Sequence, residues 1–395
     1  MGGLRKKKSP VRGENAAGPR IMHLNTARDW RGGERQVLNL ALALRDLGVE
    51  QLVVCPPNSD LSRRLEENNL PWRAVYMGGE LDPFAPRRLE KVAREFQADI
   101  VHAHTARAHA HAFRLKKRMP ELKLVVSRRV DFPVRPNYFS RKKYLSPLVD
   151  RYIAISRRVR EVLIEDGISP EKIGLVYSAL DYESYASVPS ADSLRLEFSL
   201  KNNELLLANV AALTAHKDQK TLLSAIALLP EPGEKIRGKK FPEYRFFILG
   251  EGELREALTN QAKASGLLDS GRLIFTGFRS DALVFYRLID VYVMSSSEEG
   301  LGTAVLDALA FGLPVVSTAG GGIPEMVDPG KGGLLSPVGD PEKLAENLTA
   351  LMLDPAARRR MGAYNLKKVK QFGISSLGRG TLENYRLVLE STRGL

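Results

Sequence analysis

The chain has 395 residues, 44% of them hydrophobic, and Lys and Arg outnumber Asp and Glu by 59 to 46, a net charge of +13. No segment approaches the ~18 consecutive apolar residues of a membrane-spanning helix, and the single cysteine, Cys55, has no intramolecular disulfide partner. These features argue against a membrane-spanning or disulfide-stabilised secreted protein, so we expect a cytoplasmic location, and the length predicts two domains. The charge favours anionic partners such as nucleic acid, lipid headgroups or phosphorylated substrates.

The chain opens on a basic segment, residues 1–20, which has almost no large apolar side chains and lacks the apolar core of a secretory signal. We predict that this segment is a disordered leader, because it cannot bury a core. A solubilising role and a tether to a membrane surface both fit its composition.

From residue 21 onward, short runs rich in Val, Ile and Leu alternate with amphipathic helical segments. This alternation is typical of a parallel sheet covered by helices on both faces, and it predicts a doubly wound α/β domain over residues 21–185. The predicted strands of this domain lie at residues 21–24, 51–54, 99–102, 122–126, 152–155 and 173–176.

A polar stretch up to residue 203 interrupts the alternation, which then resumes and predicts a second α/β domain over residues 186–372. The final segment, 373–395, has the amphipathic pattern of a helix with no strand after it, so it either closes the second domain or returns to the first. The predicted strands of the second domain lie at residues 205–211, 245–249, 273–275, 291–294 and 314–317.

A pair of glycines, Gly32 and Gly33, follows the first predicted strand and begins a helix. Glycines in such a loop let the backbone approach a phosphate at a helix N-terminus, although an ordinary turn has the same composition. The two glycines are therefore candidate binding residues.

Four histidines lie close together in sequence, namely His102, His104, His109 and His111. His102 and His104 share one strand face, but His109 and His111 point in different directions on a predicted helix, so we do not expect a metal site. His104 ends its strand, where a histidine can donate to a ligand hydroxyl or transfer a proton; a core histidine bonded to backbone is the alternative.

Residues 114–143 are unusually basic and are interspersed or flanked by the aromatic residues Phe132, Tyr138, Phe139 and Tyr144. A basic surface with aromatic side chains can bind lipid headgroups, phosphorylated ligands or single-stranded nucleic acid, and a solvated charged face is the alternative. The candidate surface residues are Arg128, Arg129, Arg141, Lys142 and Lys143.

The densest signal is the segment 295–327, in which a strand ends in a Ser-Ser-Ser-Glu-Glu-Gly loop before a helix near Thr303. Loops at the carboxyl ends of parallel strands bind ligands, amides at a helix start favour phosphate, and carboxylates such as Glu299 and Asp307 accept hydrogen bonds from sugar hydroxyls. The candidate binding residues here are Glu299, Gly300, Leu301, Gly302, Thr303 and Asp307.

This segment resembles the E-x7-E signature of the family-4 retaining glycosyltransferases, with Glu299 at the first position and Asp307 in place of the second Glu. The Gly-rich residues 320–322, followed by Pro324 and Glu325, match the next loop of the same family. The resemblance covers nearly the whole chain after residue 20 and implies the GT-B fold, in which two Rossmann-like, doubly wound domains face each other across a cleft.

The same resemblance implies a nucleotide-binding second domain, with Lys217 gripping the donor phosphates. Ala212 stands where the family usually has an arginine, and His216, Arg128 and Arg129 are candidates to replace it. Gly250 is expected in a turn near the nucleotide, and Gly277 and Phe278 are expected in the loop that faces the base.

The resemblance implies metal-independent, cofactor-free transfer of a sugar from a nucleotide-diphosphate donor, with retention at the anomeric carbon. Glu299 is expected to position the sugar, Lys217 to stabilise the leaving phosphate, Asp307 to contact the ribose and His104 to contact the transferred sugar. The expected acceptor is a glycan or lipid-linked molecule of cell-envelope polysaccharide or lipopolysaccharide synthesis, met at the inner membrane surface. A non-hydrolysing nucleotide-sugar epimerase and a nucleic-acid-binding protein are the alternatives; without a base-reading motif we expect no nucleic-acid partner.

Overall fold

The computed structural model describes residues 18–134 and 138–390, so most of the predicted leader and the side chain of Phe139 lie outside the described residues. Seven parallel strands form the first sheet in the order β3-β2-β1-β4-β5-β6-β7. These strands are β1 (Ile21–Leu24), β2 (Gln51–Cys55), β3 (Trp72–Ala74), β4 (Ile100–Ala103), β5 (Lys123–Arg128), β6 (Arg151–Ala154) and β7 (Ile173–Leu175).

The second sheet has six parallel strands in the order β12-β11-β8-β13-β14-β15, and β9 and β10 form a separate antiparallel hairpin. The strands of this half are β8 (Leu205–Val210), β9 (Lys235–Ile236), β10 (Lys239–Lys240), β11 (Tyr244–Leu249), β12 (Leu273–Gly277), β13 (Val291–Met294), β14 (Val315–Thr318) and β15 (Gly333–Ser336).

Helices connect successive strands in both halves. The first half contains α1 (Gly32–Asp46), α2 (Asp60–Glu67), α3 (Ala85–Phe96), α4 (Ala106–Arg118), α5 (Tyr138–Tyr144) and α6 (Arg157–Glu165). The second half contains α7 (Asp192–Glu197), α8 (Gln219–Ala227), α9 (Arg255–Ala264), α10 (Ala282–Leu288), α11 (Thr303–Ala310), α12 (Ile323–Met326), α13 (Pro341–Met352), α14 (Pro355–Lys368) and α15 (Ile374–Glu390). None of these helices is long and apolar enough to cross a membrane.

The predicted α/β architecture of two Rossmann-like sheets is confirmed. Residues of β1, β4 and β13 are all buried, as expected for parallel strands covered on both faces. The predicted strands all correspond to observed ones, whereas β3, β9, β10 and β15 were not predicted. Strand order reverses between β1 and β4 in the first sheet and between β8 and β13 in the second, and such switch points are where open α/β sheets bind ligands.

The last helix, α15, packs on the first sheet and not on the second. Its Tyr385 and Val388 share a buried cluster with Leu40 of α1 and with Ile100 and Val125 of the first sheet. Tyr385 also contacts a histidine of β4, because its hydroxyl lies 2.6 Å from His102 Nδ1. The chain therefore begins and ends its described part on the same sheet.

Candidate active site

A cavity of about 1040 Å³, here called the central cavity, lies between the two sheets and is lined by residues from both. The first half contributes the start of α1 and the loop after β5, and the second half contributes the loops after β8, β11, β12 and β13. The sequence-predicted residues that line it are Gly32, Gly33, Lys217, Gly250, Phe278, Glu299, Leu301, Gly302 and Thr303, together with Arg129.

A tight turn after β11 shapes one wall of the central cavity. Gly250 has φ of 139°, and a Cβ atom there would lie 2.0 Å from the carbonyl oxygen of Ala211, so only glycine fits. The turn is held by a hydrogen bond of 2.9 Å from Gly250 N to Gly277 O. Gly277 therefore supports the turn from behind and does not line the cavity, while the ring of Phe278, 76% exposed, does.

The carboxylate of Glu299 and the ammonium group of Lys217 form an ion pair at the cavity wall. Lys217 is the last residue of a short 3₁₀ turn, Ala215–Lys217. The carbonyl oxygens of this turn accept hydrogen bonds from the loop after β13, and one of them is donated by Ser295 Oγ to Lys217 O at 2.9 Å. The two predicted residues, 82 positions apart, thus meet because loops from β8 and β13 are adjacent. Both side chains are largely buried, which strengthens their interaction.

The Glu299 loop is held by the first half of the molecule. Its backbone N–H donates to Asp131 Oδ2 at 2.8 Å. The next residue, Gly300, lies so close to the loop after β5 that a Cβ atom would be 2.2 Å from the carbonyl oxygen of Arg129. Gly300 therefore fits a contact between the two halves and does not line the central cavity.

Arg129 is a partly buried cation at the boundary of the central cavity. Burial lowers the pKa of its guanidinium group to about 10, although the nearby carboxylate of Glu34 acts in the opposite direction. Its Nε atom is buried without a hydrogen-bond partner among the described residues. Of the three candidates to replace the arginine absent at Ala212, Arg129 and His216 line the same cavity as Lys217, and Arg128 does not.

Asp307 differs from its predicted position, because its carboxylate does not line the central cavity. It is 7% exposed and accepts from both terminal nitrogens of Arg35, on α1, at 3.0–3.3 Å. The hydroxyl of Tyr185 donates to Asp307 Oδ1 at 2.5 Å. The Asp307 carboxylate therefore forms an ion pair that joins the two halves. It could contact a ribose, as expected, only after this ion pair rearranges.

His104 likewise lies outside the central cavity, in a stack of buried histidines. Its Nε2 is 2.9 Å from His23 Nδ1, and its Nδ1 is 3.4 Å from a terminal nitrogen of Arg129. Burial, followed by repulsion from His102, His23 and Arg129, holds the pKa of His104 well below its usual value. The imidazole is therefore neutral near pH 7.

The ring nitrogens of His23, His102 and His104 lie within 4.8 Å of one another. Among the described residues, these three histidines form the group whose spacing could hold a metal ion. Both nitrogens of His102 are already used, at 2.6 Å by Tyr385 and at 2.8 Å by Ser127. His102 and His104 were predicted to share a strand face, whereas His23, which pairs with His102 across β1 and β4, was not among the candidates. Metal independence stays a prediction.

A second cavity of about 800 Å³, here called the basic cavity, adjoins the first. Arg129 and Val130 line both cavities, and His104 lines only the basic one. Of the predicted surface residues, Arg128, Arg129, Lys142 and Lys143 line it, and Arg141 does not. The residues that sequence reasoning missed are Arg35, Asp131 and Tyr185, whose roles depend on contacts far apart in the chain.

Two sequence models of known families match consecutive parts of the chain. The model "Glycosyltransferase Family 4" matches residues 30–184, and "Glycosyl transferases group 1" matches residues 192–368. The lipopolysaccharide core biosynthesis glycosyltransferase LpsE of Rhizobium meliloti (strain 1021) is 27% identical over 345 residues, which are 87% of this chain and 91% of LpsE.

Solved structures share the architecture over the same extent. HepE of Anabaena, in complex with UDP-glucose, superposes with a TM-score of 0.77 at 21% identity, covering 95% of this chain and 100% of that one. A glycosyltransferase from Rickettsia africae ESF-5 gives 0.79 at 19% identity, covering 95% and 99%. The fold is GT-B, and the chain belongs to the family-4 glycosyltransferases.

Proposed function

We propose that this glycosyltransferase binds a nucleotide-diphosphate sugar in the central cavity and transfers the sugar with retention to an acceptor held by the basic cavity. The observation that carries the proposal is the Lys217–Glu299 pair at the wall of a cavity lined by both halves. One member is a cation suited to a phosphate, and the other is an acceptor suited to sugar hydroxyls.

The proposed donor contact uses two cations from opposite sides of the cavity. Lys217 follows β8, and Arg129 follows β5, so a diphosphate between them receives positive charge from both halves. Arg129 then makes the phosphate contact that family members make with an arginine at the position of Ala212. The structure of HepE was determined with UDP-glucose, which makes a uridine diphosphate sugar the first donor to test.

In the proposed reaction the bond between the anomeric carbon and the phosphate oxygen breaks, while a bond from that carbon to the acceptor oxygen forms on the same face. The acceptor proton passes to the departing phosphate oxygen. Lys217 and Arg129 stabilise the charge that develops on the phosphate, and Glu299 fixes the sugar through its hydroxyls. This scheme requires no cofactor or metal.

The neutral imidazole of His104 can form one hydrogen bond with the transferred sugar or with the acceptor if the long contact of 3.4 Å between its Nδ1 and Arg129 is given up. LpsE acts in lipopolysaccharide core biosynthesis, as its name states. Together with the exposed aromatic side chains Phe132 and Tyr138 beside the basic cavity, this relative supports a glycan or lipid-linked acceptor of the cell envelope, met at the inner membrane surface.

The test is a screen of nucleotide sugars by thermal shift, followed by analysis of each stabilising donor after incubation without acceptor. Binding to the folded state raises the melting temperature, and a glycosyltransferase is expected to release free sugar and nucleotide diphosphate slowly by transfer to water. An isomerised sugar nucleotide with no released sugar would indicate an epimerase and overturn the proposal, as would the absence of any stabilising donor.

A further inference from the structure

The basic cavity is lined by an excess of positive charge. Six cationic side chains line it, and the single acidic residue among the lining residues is Glu80, which is exposed. The six are Arg114, Lys117, Arg128, Arg129, Lys142 and Lys143.

None of these six cations has a carboxylate partner within 4 Å among the described residues. On the adjoining surface the pattern is the opposite: Arg118, on the same helix as Arg114 and Lys117, pairs with Glu90 at 2.6 Å. Arg88 pairs with Asp82 nearby. On α4, the two cations that line the cavity are thus unpaired within the described part of the chain, whereas Arg118 is neutralised by a carboxylate.

Arg128 is the most informative member, because it is 6% exposed. Its terminal nitrogens donate to Tyr144 Oη at 3.0 Å and to the carbonyl of Phe132 at 2.5 Å, and its Nε is buried without a partner. Neutral acceptors and two aromatic rings surround the guanidinium group, and no carboxylate of residues 18–134 or 138–390 lies within 4 Å to balance its charge. A buried cation left in this state costs stability, which an anionic ligand would recover.

Lys143 is a second, partly buried cation of this cavity. Burial lowers the pKa of its ammonium group; Glu80 acts in the opposite direction, and Arg128 adds to the decrease. Its Nζ donates to the carbonyl of Ala106 at 3.2 Å, again a neutral acceptor. An anion between Arg128 and Lys143 would relieve the repulsion between them.

We propose that the basic cavity binds a phosphate group carried by the acceptor, with Arg128 and Lys143 as its principal contacts. The proposal rests on the proposed function, whose acceptor it narrows to phosphorylated molecules. A cavity of about 800 Å³ has room for the phosphate and the sugar unit that bears it. Because Arg129 and Val130 line both cavities, a hydroxyl near that phosphate can reach the donor.

The experiment uses the full chain saturated with UDP, so that the central cavity is closed to other phosphates, and titrates glycerol 3-phosphate by calorimetry. Arg128→Gln is compared with Arg360→Gln, an exposed residue of α14 that changes the net charge equally. We expect Arg128→Gln to weaken binding by at least about 10-fold, as for loss of one charge-assisted contact, and Arg360→Gln to leave it unchanged. Arg128→Lys keeps the charge and serves if Arg128→Gln does not fold.

A second arm identifies the source of the phosphate, by co-sedimentation with vesicles of phosphatidic acid in phosphatidylcholine and with phosphatidylcholine alone. Arg128-dependent binding of the soluble probe indicates a soluble phosphorylated acceptor, and Arg128-dependent binding of the acidic vesicles alone indicates a lipid headgroup; either supports the proposal. Equal losses in Arg128→Gln and Arg360→Gln, or no loss in either, overturn it. Hydrolysis of a donor by the unaltered protein tests the proposed function separately and is independent of these outcomes.

Discussion

The two adjoining cavities differ in how their charges are balanced. In the central cavity the cation Lys217 is already paired with Glu299, and close to it Arg35 is paired with Asp307. In the basic cavity, Arg128 and Lys143 donate to neutral acceptors among the described residues and lie against aromatic rings. A ligand of the central cavity must therefore replace an internal ion pair with its own phosphate and hydroxyls, whereas the basic cavity can gain a counter-ion without breaking one.

The largest expected effect is a loss of stability when the Arg35–Asp307 ion pair, close to the central cavity, is broken. Asp307→Ala leaves Arg35 partly buried without its carboxylate, which we expect to cost about 3 kcal/mol of the free energy of unfolding, and so to lower the thermal midpoint by roughly 5 °C. Burial disfavours the cation, yet Asp307 holds the pKa of Arg35 above its usual value, so the pair is strongly favoured. Thermal unfolding with and without UDP measures the effect.

The control is the double variant Arg35→Met, Asp307→Leu, in which both members of the ion pair are replaced by apolar residues. It should be more stable than Asp307→Ala, because no unpaired charge remains. Nucleotide affinity should fall less in Asp307→Ala than in Lys217→Ala. An unchanged midpoint with strongly reduced nucleotide affinity would instead assign Asp307 to the ribose, as the family resemblance implies.

The next effect concerns the pair inside the central cavity. Glu299→Gln keeps the size of the side chain but removes the charge that fixes both Lys217 and the donor sugar, so we expect the transfer rate to fall by about 10²–10³-fold. The thermal midpoint should fall less than in Asp307→Ala, because the amide oxygen of Gln can still accept a hydrogen bond from Lys217. Initial rates with saturating donor give the comparison.

The neighbouring Glu298 is exposed and offers a matched control. Glu298→Gln makes the same chemical change one residue away and should leave the rate intact. A fully active, folded Glu299→Gln protein, or equal losses in the two variants, would remove Glu299 from the proposed mechanism.

The smallest effect tests which cation completes the phosphate contact. Arg129→Ala should weaken binding of a nucleotide diphosphate by about 1.5–3 kcal/mol, the range for one hydrogen bond to a charged group. Because Ala212 lines the same cavity, Ala212→Arg added to Arg129→Ala should restore most of the affinity. Calorimetry with UDP measures both.

Arg31→Ala is the comparison variant for this series, since Arg31 lines the same cavity but its side chain is 80% exposed. It should lose much less affinity than Arg129→Ala. If Arg129→Ala binds UDP as tightly as the unaltered protein, Lys217 and backbone amides bind the phosphates without Arg129.

Much of the fold could be predicted from local pattern, because parallel strands buried on both faces appear as apolar runs. The strands that escaped prediction are short or atypical. Strand β3 has three residues and is partly exposed, β9 and β10 have two residues each, and β15 begins at Gly333. The helix at the C-terminal end of the described chain was predicted, but its contact with the first sheet depends on tertiary packing of Tyr385.

Some features of the candidate site were likewise predictable from local sequence, and others depend on tertiary contacts. The two α/β halves and the loop that carries Glu299 were predictable, since both follow from residues close together in the chain. The pairing of Asp307 with Arg35, 272 positions away, depends on tertiary contacts, as does the lack of carboxylate partners within 4 Å of Arg128 and Lys143 among the described residues. The reason is physical: periodicity records which side of an element is buried, whereas the partner of a buried charge depends on how separate elements dock.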